Sequence, residues 1–180
     1  TDRVGWIAGM DERPGRTGGV LLATRDGGAT WKTISAPVRN LHHVRFFDLQ
    51  HGLLVGQGDR RYPSGVVETR DGGKSWSPLA GPLFDDWRAA AFSTDGHGVV
   101  AGGRLRTGTV SEAAVLNNDA SLRTRKAWWG AAIGGQRSAW LVGDAAAVLF
   151  RPSNRSAWRT PETPLPVGLA NTTTFRAVTA

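Results

Sequence analysis

The stretch TRDGGATW, residues Thr24–Trp31, and its near copy TRDGGKSW, residues Thr69–Trp76, decide the fold. The two copies begin 45 residues apart, and a motif that recurs at such a period indicates a repeat architecture, whereas a catalytic motif usually occurs once. In each copy the glycines can supply the positive φ of a tight reversal, and the Asp before them can accept hydrogen bonds from amides across the turn. Each copy is therefore predicted to be a turn between two strands.

Short apolar strands recur around these turns. They are GWIAG at Gly5–Gly9, GLLVG at Gly52–Gly56, GVVAG at Gly98–Gly102 and AWLVG at Ala139–Gly143. A second apolar run follows each of them, and another short strand precedes the last three. Four strands in about 45 residues are typical of one β-propeller blade, and the 3.6-residue periodicity of helical repeats is not found. The sequence predicts an all-β protein, a single propeller domain of four-stranded antiparallel blades.

The repeat boundaries are predicted at 1–38, 39–84, 85–126 and 127–166. Residues 170–180 resemble the first strand of a repeat, and the opening residues resemble the second strand. The termini could pair in one blade and close a four-bladed ring, or the chain could be a slice of a larger propeller. Within the last repeat, the apolar run Ala145–Phe150 fits a single buried strand.

Both turns resemble the Asp-box, S/T-x-D-x-G-x-T/S-W, also called the BNR repeat. The matching residues are Thr24, Asp26, Gly28, Thr30 and Trp31 in the first copy, and Thr69, Asp71, Gly73, Ser75 and Trp76 in the second. The resemblance implies a structural turn on the rim of a propeller. We expect each Trp to bury its ring between blades. The alternative makes each Asp a catalytic acid or calcium ligand, but one carboxylate per turn is too few for a good calcium site.

The sequence around the second turn resembles the photosystem II stability/assembly factor family and its bacterial relatives. The matching residues are Leu41, Val44, Phe46, Asp48, Gly52, Val55, Gly56, Gly65, Val66, Thr69, Asp71, Gly72, Gly73 and Trp76. The resemblance is good over residues 1–80 and follows only in outline beyond them. It implies a slice of a seven-bladed, non-enzymatic propeller from a bacterium. Such a protein would be exported to the periplasm or a thylakoid-lumen equivalent, where it helps to assemble a membrane complex, with a photosynthetic complex as one candidate.

The charge is strongly positive, with a formal net charge of +7 and a pI near 11.1. Of 22 basic residues only Lys32, Lys74 and Lys126 are Lys. Arginine suits bidentate bonds to carboxylates, although a GC-rich genome would also favour Arg over Lys. No nucleic-acid motif and no apolar stretch long enough to span a bilayer is found. The absence of Cys excludes disulfides and thiolate metal sites.

Three loops, 10–19, 57–65 and 103–112, link the second and third strands of successive repeats, so they are expected on one face of the propeller. Their arginines are Arg13, Arg16, Arg60, Arg61, Arg104 and Arg106. We predict that these arginines bind an acidic surface on a protein partner, such as a membrane-embedded complex. The alternative is three solvated, variable loops.

The main enzymatic alternative is a sialidase-like glycoside hydrolase, or a glycan-binding propeller, because these share the Asp-box. Sialidase chemistry needs a Tyr nucleophile polarised by a Glu, and the chain has one Tyr, Tyr62, and no Arg-Ile-Pro signature. His51 and His97 occupy equivalent turns and are expected to be solvated, with no role in a metal site or triad. The sequence therefore predicts a non-catalytic binding protein without cofactor or metal.

Overall fold

Antiparallel β-strands, each paired with neighbours in sequence, form most of the regular structure. The computed structural model describes residues 3–11, 13, 18–81, 86–102, 107–110, 116–118 and 127–180, with the backbone alone for 107–109 and 116–118. The chain divides into two units, Thr1–Trp87 and Arg88–Ala180.

The first unit contains one six-stranded sheet in which the strands follow their order in the chain. The strands are β1 (Gly5–Met10), β2 (Gly18–Thr24), β3 (Lys32–Phe46), β4 (Gly52–Gln57), β5 (Val66–Thr69) and β6 (Ser77–Pro78). The DGG turns join β2 to β3 and β5 to β6. The second half of β3 with β4, β5 and β6 makes one four-stranded blade.

The long strand β3 changes partner halfway along. Its first half pairs with β2 and its second half with β4, and the register shifts between Arg39 and His43. Asn40 lies at this shift with φ 42°, in the left-handed region that Asn tolerates better than most residues. The repeat boundary predicted after residue 38 falls beside this bend; the repeat boundaries as a set stay a prediction.

The core of the first unit is shared by strands from both halves of the sheet. Its buried members are Leu21, Val38, Leu41, Leu54, Tyr62 and Val67. Trp6 and Trp76 pack at its border, and Trp6 stacks on Phe46 with ring centroids 3.8 Å apart. The central strand β4 is buried along Gly52–Gly56 on both of its faces, as its continuous apolar run GLLVG suits.

Within its described residues, the second unit contains two sheets. Four strands pair in the order β10-β9-β8-β7, and three in the order β11-β12-β13. Their bounds are β7 (Trp87–Phe92, beginning at the unit boundary), β8 (Gly98–Gly102), β9 (Thr107–Val110), β10 (Leu116–Asn118), β11 (Trp128–Ile133), β12 (Ala139–Gly143) and β13 (Val148–Arg151). A 3-10 turn at Gly135–Arg137 precedes β12, and a one-turn helix, α1, spans Val167–Ala170. Side chains of β8 and β12 share a core around Trp128.

The last repeat departs from the four-stranded pattern. Its fourth strand is reduced to an isolated bridge between Phe150 and Arg159, and Pro161, Pro164 and Pro166 follow. Proline has no backbone N–H to donate, so this segment cannot extend the ladder. Residues 173–180 are assigned to no strand, but the Phe175 N–H donates to the Gly143 carbonyl over 3.0 Å.

The apolar run Ala145–Phe150 does not form one strand, contrary to the prediction. Strand β13 begins at Val148, while Ala145 and Ala146 adopt φ 50° and 51° in the turn before it. The chain must reverse between β12 and β13 within four residues, and a tight hairpin turn of this kind needs positive φ at both central positions.

Candidate functional site

The first DGG turn, Thr24–Trp31, is closed by hydrogen bonds to one carboxylate. The Thr24 hydroxyl donates to Asp26 Oδ1 over 2.7 Å and accepts the Gly28 N–H over 2.9 Å. The Thr30 N–H donates to Asp26 Oδ1 over 2.9 Å, and its hydroxyl donates to Oδ2 over 2.5 Å. Gly27 and Gly28 take φ 75° and 92°, which only glycine adopts without strain.

The second DGG turn, Thr69–Trp76, repeats this network. The Thr69 hydroxyl donates to Asp71 Oδ1 over 2.8 Å and accepts the Gly73 N–H over 2.8 Å. Ser75 binds Asp71 through its N–H over 2.9 Å and its hydroxyl over 2.5 Å. Two separate stretches of sequence therefore build the same turn, residue for residue.

Both aspartates are held as carboxylates. The hydroxyl of Thr30 lowers the pKa of Asp26 to about 2, and the hydroxyl of Ser75 lowers the pKa of Asp71 to about 2, with further lowering by amides of each turn. A carboxylate with three such hydrogen bonds is a poor general acid at neutral pH, since it carries no proton to give. The arrangement thus favours the structural role over the catalytic-acid alternative.

The protein is expected to lose stability as the pH falls from about 4 to about 2. The folded-state pKa values of Asp26 and Asp71 lie below the ordinary value of 3.8. Their stabilisation is therefore present above the unfolded pKa and is lost as the pH falls through the folded pKa. Thermal melts between pH 2 and pH 6 measure this loss. The Asp26→Asn/Asp71→Asn double variant should show a shallower acid loss; equal slopes for both proteins would contradict the assignment.

The two tryptophans that end these turns differ in burial, against the expectation for Trp31. Trp76 is half-buried and meets Phe46 edge to face, with centroids 6.3 Å apart. Trp31 is 40% exposed. The difference follows from the neighbours, because Trp76 borders the core, whereas Trp31 lies over Gly5 and Gly28, which have no side chains to cover it.

A first cleft lies between the two DGG turns. It has a volume of about 440 Å³ and brings Thr24, Asp26 and Thr30 of the first turn near Gly72 of the second. Its walls also include the apolar Trp6 and Ile34 and the basic Arg25 and Lys32.

A second cleft, which we call the Trp76 cleft, has a volume of about 550 Å³. The residues that line it come from β3, the 58–65 loop and the second DGG turn; they are Ser35, Pro37, Asp59, Arg61, Tyr62, Lys74, Ser75 and Trp76. From this set, the sequence analysis selected Arg61 for partner binding and Ser75 and Trp76 as structural residues, but it missed Lys74. Two sequence features could have identified Lys74: its position inside the DGGKSW motif, and the fact that it is one of only three lysines in the chain.

The predicted arginine cluster is described in part. Arg13 forms a bidentate pair with Asp11 in its own loop, with NH2 to Oδ2 at 2.6 Å. Arg60 and Arg61 are exposed and form no ion pair within the described residues. Arg16, Arg104 and Arg106 lie outside the described residues, so the common face of the three loops stays a prediction.

His51 and His97, which occupy equivalent turns, each lie beside a carboxylate. His51 Nε2 lies 2.7 Å from Glu68 Oε1, and the His51 side chain is 36% exposed. His97 is only 9% exposed, so the expectation that it is solvated is wrong. Its Nδ1 lies 3.3 Å from Asp95 Oδ2, which also accepts from Arg137 over 2.7 Å. The Ser93 hydroxyl holds the pKa of Asp95 well below its usual range.

Tyr62 is buried in the core of the first unit, with one edge on the Trp76 cleft. No carboxylate within the described residues hydrogen-bonds to its hydroxyl, so the polarised Tyr of the hydrolase alternative is not assembled there. That part of the chain also contains no group of three or more His, Asp or Glu side chains arranged to hold a metal ion. None of its helices has the length and apolar character needed to cross a membrane.

Solved structures similar to this chain are β-propellers. The structure of YCF48 bound to D1 peptide matches with a TM-score of 0.59 at 19% identity, over 87% of this chain and 48% of that one. The crystal structure of the Niastella koreensis GH74 enzyme matches with a TM-score of 0.67 at 14% identity, over 89% and 28% of the respective chains. The predicted all-β propeller fold is confirmed.

This chain spans about half the length of YCF48, at 48%, and 28% of the GH74 enzyme. Its sequence matches no protein-family model and no curated protein. Identities of 19% and 14% establish the shared fold and nothing about activity.

Proposed function

We propose that this chain is a non-catalytic, protein-binding propeller segment that holds an acidic surface of its partner through exposed arginines. The observation that carries the proposal is the fixed conformation of the 58–65 loop. Asp59 Oδ1 accepts the N–H groups of Arg61 and Tyr62, each over 2.8 Å, and the Gly65 N–H donates to the Tyr62 carbonyl over 3.0 Å. A loop fixed in this way presents Arg60 and Arg61 at a reduced entropic cost of binding.

One structural comparison and one sequence resemblance support protein binding. YCF48 is a propeller of the same fold that was solved with a bound peptide, and the residues around the second DGG turn resemble the assembly-factor family. On this basis the DGG turns are Asp-box turns, and the complete protein is an assembly factor or accessory subunit peripheral to a membrane complex. We place it in the periplasm or a lumen-like compartment, with a photosynthetic complex as one candidate partner.

Glycoside hydrolysis or glycan binding is the second candidate, and the likeness to the GH74 enzyme favours it. Its sialidase-like form is weakened at Tyr62, whose burial leaves little surface for attack on a sugar. Glu68, one candidate to polarise the Tyr, is already engaged by His51 and Arg70, both within about 3 Å. The two candidates differ in their ligand, which a glycan array and a protein pull-down separate.

Replacing Arg60 and Arg61 with Ser is expected to weaken partner capture roughly tenfold, equivalent to about 1.4 kcal/mol. The physical reason is the loss of charge-assisted hydrogen bonds to carboxylates. Capture from native membranes should also fall when salt is raised from 50 to 500 mM, because salt screens exposed charges. Densitometry of the captured partner measures both effects.

The matched control is Arg155→Ser/Arg159→Ser, which removes two exposed arginines from the second unit. We expect near-unchanged capture with this variant. Equal loss in both variants would show a non-specific charge effect, and no captured protein at any salt would overturn the proposal. Binding to a glycan array without protein capture would favour the second candidate instead.

A further inference from the structure

The Trp76 cleft has the dimensions of a ligand site. Its volume of about 550 Å³ lies within the roughly 300–1,000 Å³ of most small-ligand sites. Aromatic and proline side chains supply its apolar surface, namely Pro37, Tyr62 and Trp76, while two serines, two cations and the carboxylate of Asp59 line the rest. The lining is therefore more polar than apolar, which suits a charged ligand better than an apolar one.

The cations of the cleft are available to a ligand. Arg61 and Lys74 are exposed, and neither forms an ion pair within the described residues. The Arg61 guanidinium lies over the Tyr62 ring at 5.5 Å. This cation–π contact holds the guanidinium beside the cleft and leaves its N–H donors unused.

The nearby carboxylates are occupied by their own turns. Asp59 Oδ1 accepts two backbone N–H groups, and both oxygens of Asp71 accept bonds from Thr69 and Ser75. Both carboxylates therefore serve their own turns, and the two cations of the lining outnumber its one carboxylate, Asp59. The charge of the cleft is complementary to an anionic ligand.

The shape favours an extended peptide over a small ion. The lining residues come from three segments, β3, the 58–65 loop and the second DGG turn, so the cleft extends across several elements. A ligand that reaches both Arg61 and Lys74 while covering Trp76 must combine carboxylates with a backbone or aliphatic stretch. The Trp76 indole N–H is buried and has no hydrogen-bond partner within the described residues, and its ring lines the cleft, so its resonance reports a ligand that changes the surroundings of the ring.

We propose that the Trp76 cleft binds an extended acidic peptide segment, with carboxylates on Arg61 and Lys74 and the peptide backbone over Trp76. This inference rests on the proposed function and deepens it, because it names one docking site for the acidic partner. It also adds a role for the second DGG turn, which contributes Lys74 and Trp76 to the cleft as well as closing the blade.

The test is a nuclear magnetic resonance titration of the uniformly ¹⁵N-labelled chain with acetylated, amidated octaglutamate. The Trp76 indole N–H signal is assigned with Trp76→Phe. Octaglutamate should shift this signal saturably, and octaglutamine should leave it in place. Arg61→Gln/Lys74→Gln should weaken the affinity at least roughly tenfold, while the charge-matched Arg155→Gln/Arg159→Gln should change it less than about twofold.

Each outcome either supports or overturns the Trp76 cleft as a site for an acidic peptide. A shift that Arg61→Gln/Lys74→Gln leaves unchanged would overturn the cleft as the site, and so would octaglutamate that fails to bind. Sodium sulfate that reproduces the shift at equal ionic strength would show a site for a simple anion, which also overturns the peptide proposal. The pull-down with Arg60→Ser/Arg61→Ser is read separately, so the acidic-partner function can stand when the cleft fails. Unchanged amide signals of β4 and β5 confirm that the variants are folded.

Discussion

Replacing Leu54 with Ala is expected to destabilise the protein by about 3 kcal/mol, because truncation of a fully buried Leu costs roughly 2–5 kcal/mol in transfer free energy and cavity formation. Leu54 is 0% exposed in the core of the first unit, where strands from both halves of the sheet meet. For a chain of this length the melting temperature should fall by roughly 6–12 °C. Thermal and urea unfolding followed by circular dichroism measure the loss.

The matched control is Ile7→Ala. Ile7 occupies the position in GWIAG that Leu54 occupies in GLLVG, but it is 48% exposed. Its truncation should cost less than about 1 kcal/mol, since part of the side chain is already in water. Similar losses for the two variants would contradict the packing of the first unit.

Replacing Gly72 with Ala is also expected to cost about 3 kcal/mol. Gly72 has φ 73°, where an L-residue pays about 1–2 kcal/mol, and its N–H donates to the Gln50 carbonyl over 2.9 Å. A Cβ at this position would lie 2.8 Å from the Leu49 carbonyl oxygen, so the backbone of the β3–β4 turn must move, which adds a cost of roughly 1–3 kcal/mol. Urea unfolding monitored by tryptophan fluorescence provides the measurement.

Gly96→Ala separates these two contributions. Gly96 has φ 84°, but a Cβ there would meet nothing within 4 Å. This variant should show the backbone strain alone, about 1–2 kcal/mol. If Gly72→Ala cost no more than Gly96→Ala, the close approach of the second DGG turn to Leu49 would be refuted.

Gly72 bears on function because the second DGG turn, to which it belongs, also lines the Trp76 cleft. Gly72 joins it to the β3–β4 turn, while Lys74 and Trp76 face the cleft. A turn that loosens would therefore weaken the proposed peptide site as well as the blade. Gly72→Ala should thus lower octaglutamate affinity, whereas Gly96→Ala, in the second unit, should not.

The turn chemistry could be predicted almost completely from the sequence. Thr24, Asp26 and Thr30 bond to one another across no more than four residues, so the residue types and their spacing determine the network. The strand order follows for the same reason, because sequential antiparallel strands pair through short connections. The reduced fourth strand of the last repeat was not predicted, although Pro161, Pro164 and Pro166 lie within the predicted repeat 127–166.

The candidate site was predicted only in part. The arginine-bearing loops were selected by composition, which is a local property, and Arg61 does line a cleft. Composition could not show that Arg13 is paired with Asp11 while Arg61 has no ion pair within the described residues. It also could not show Lys74 near Arg61, because these residues lie on different loops that only the folded sheet brings together.

The sequence by itself determined the repeat, the two DGG turns and the all-β propeller class, because each depends on spacing and on hydrogen bonds between near neighbours. Only the tertiary structure decided which equivalent positions are buried. Leu54 and Trp76 are covered by strands on both sides of the bend in β3, whereas Ile7 and Trp31 occupy the same motif positions and remain about half exposed. Burial depends on contacts between residues distant in sequence, and a repeated motif carries no information about which blade will cover it.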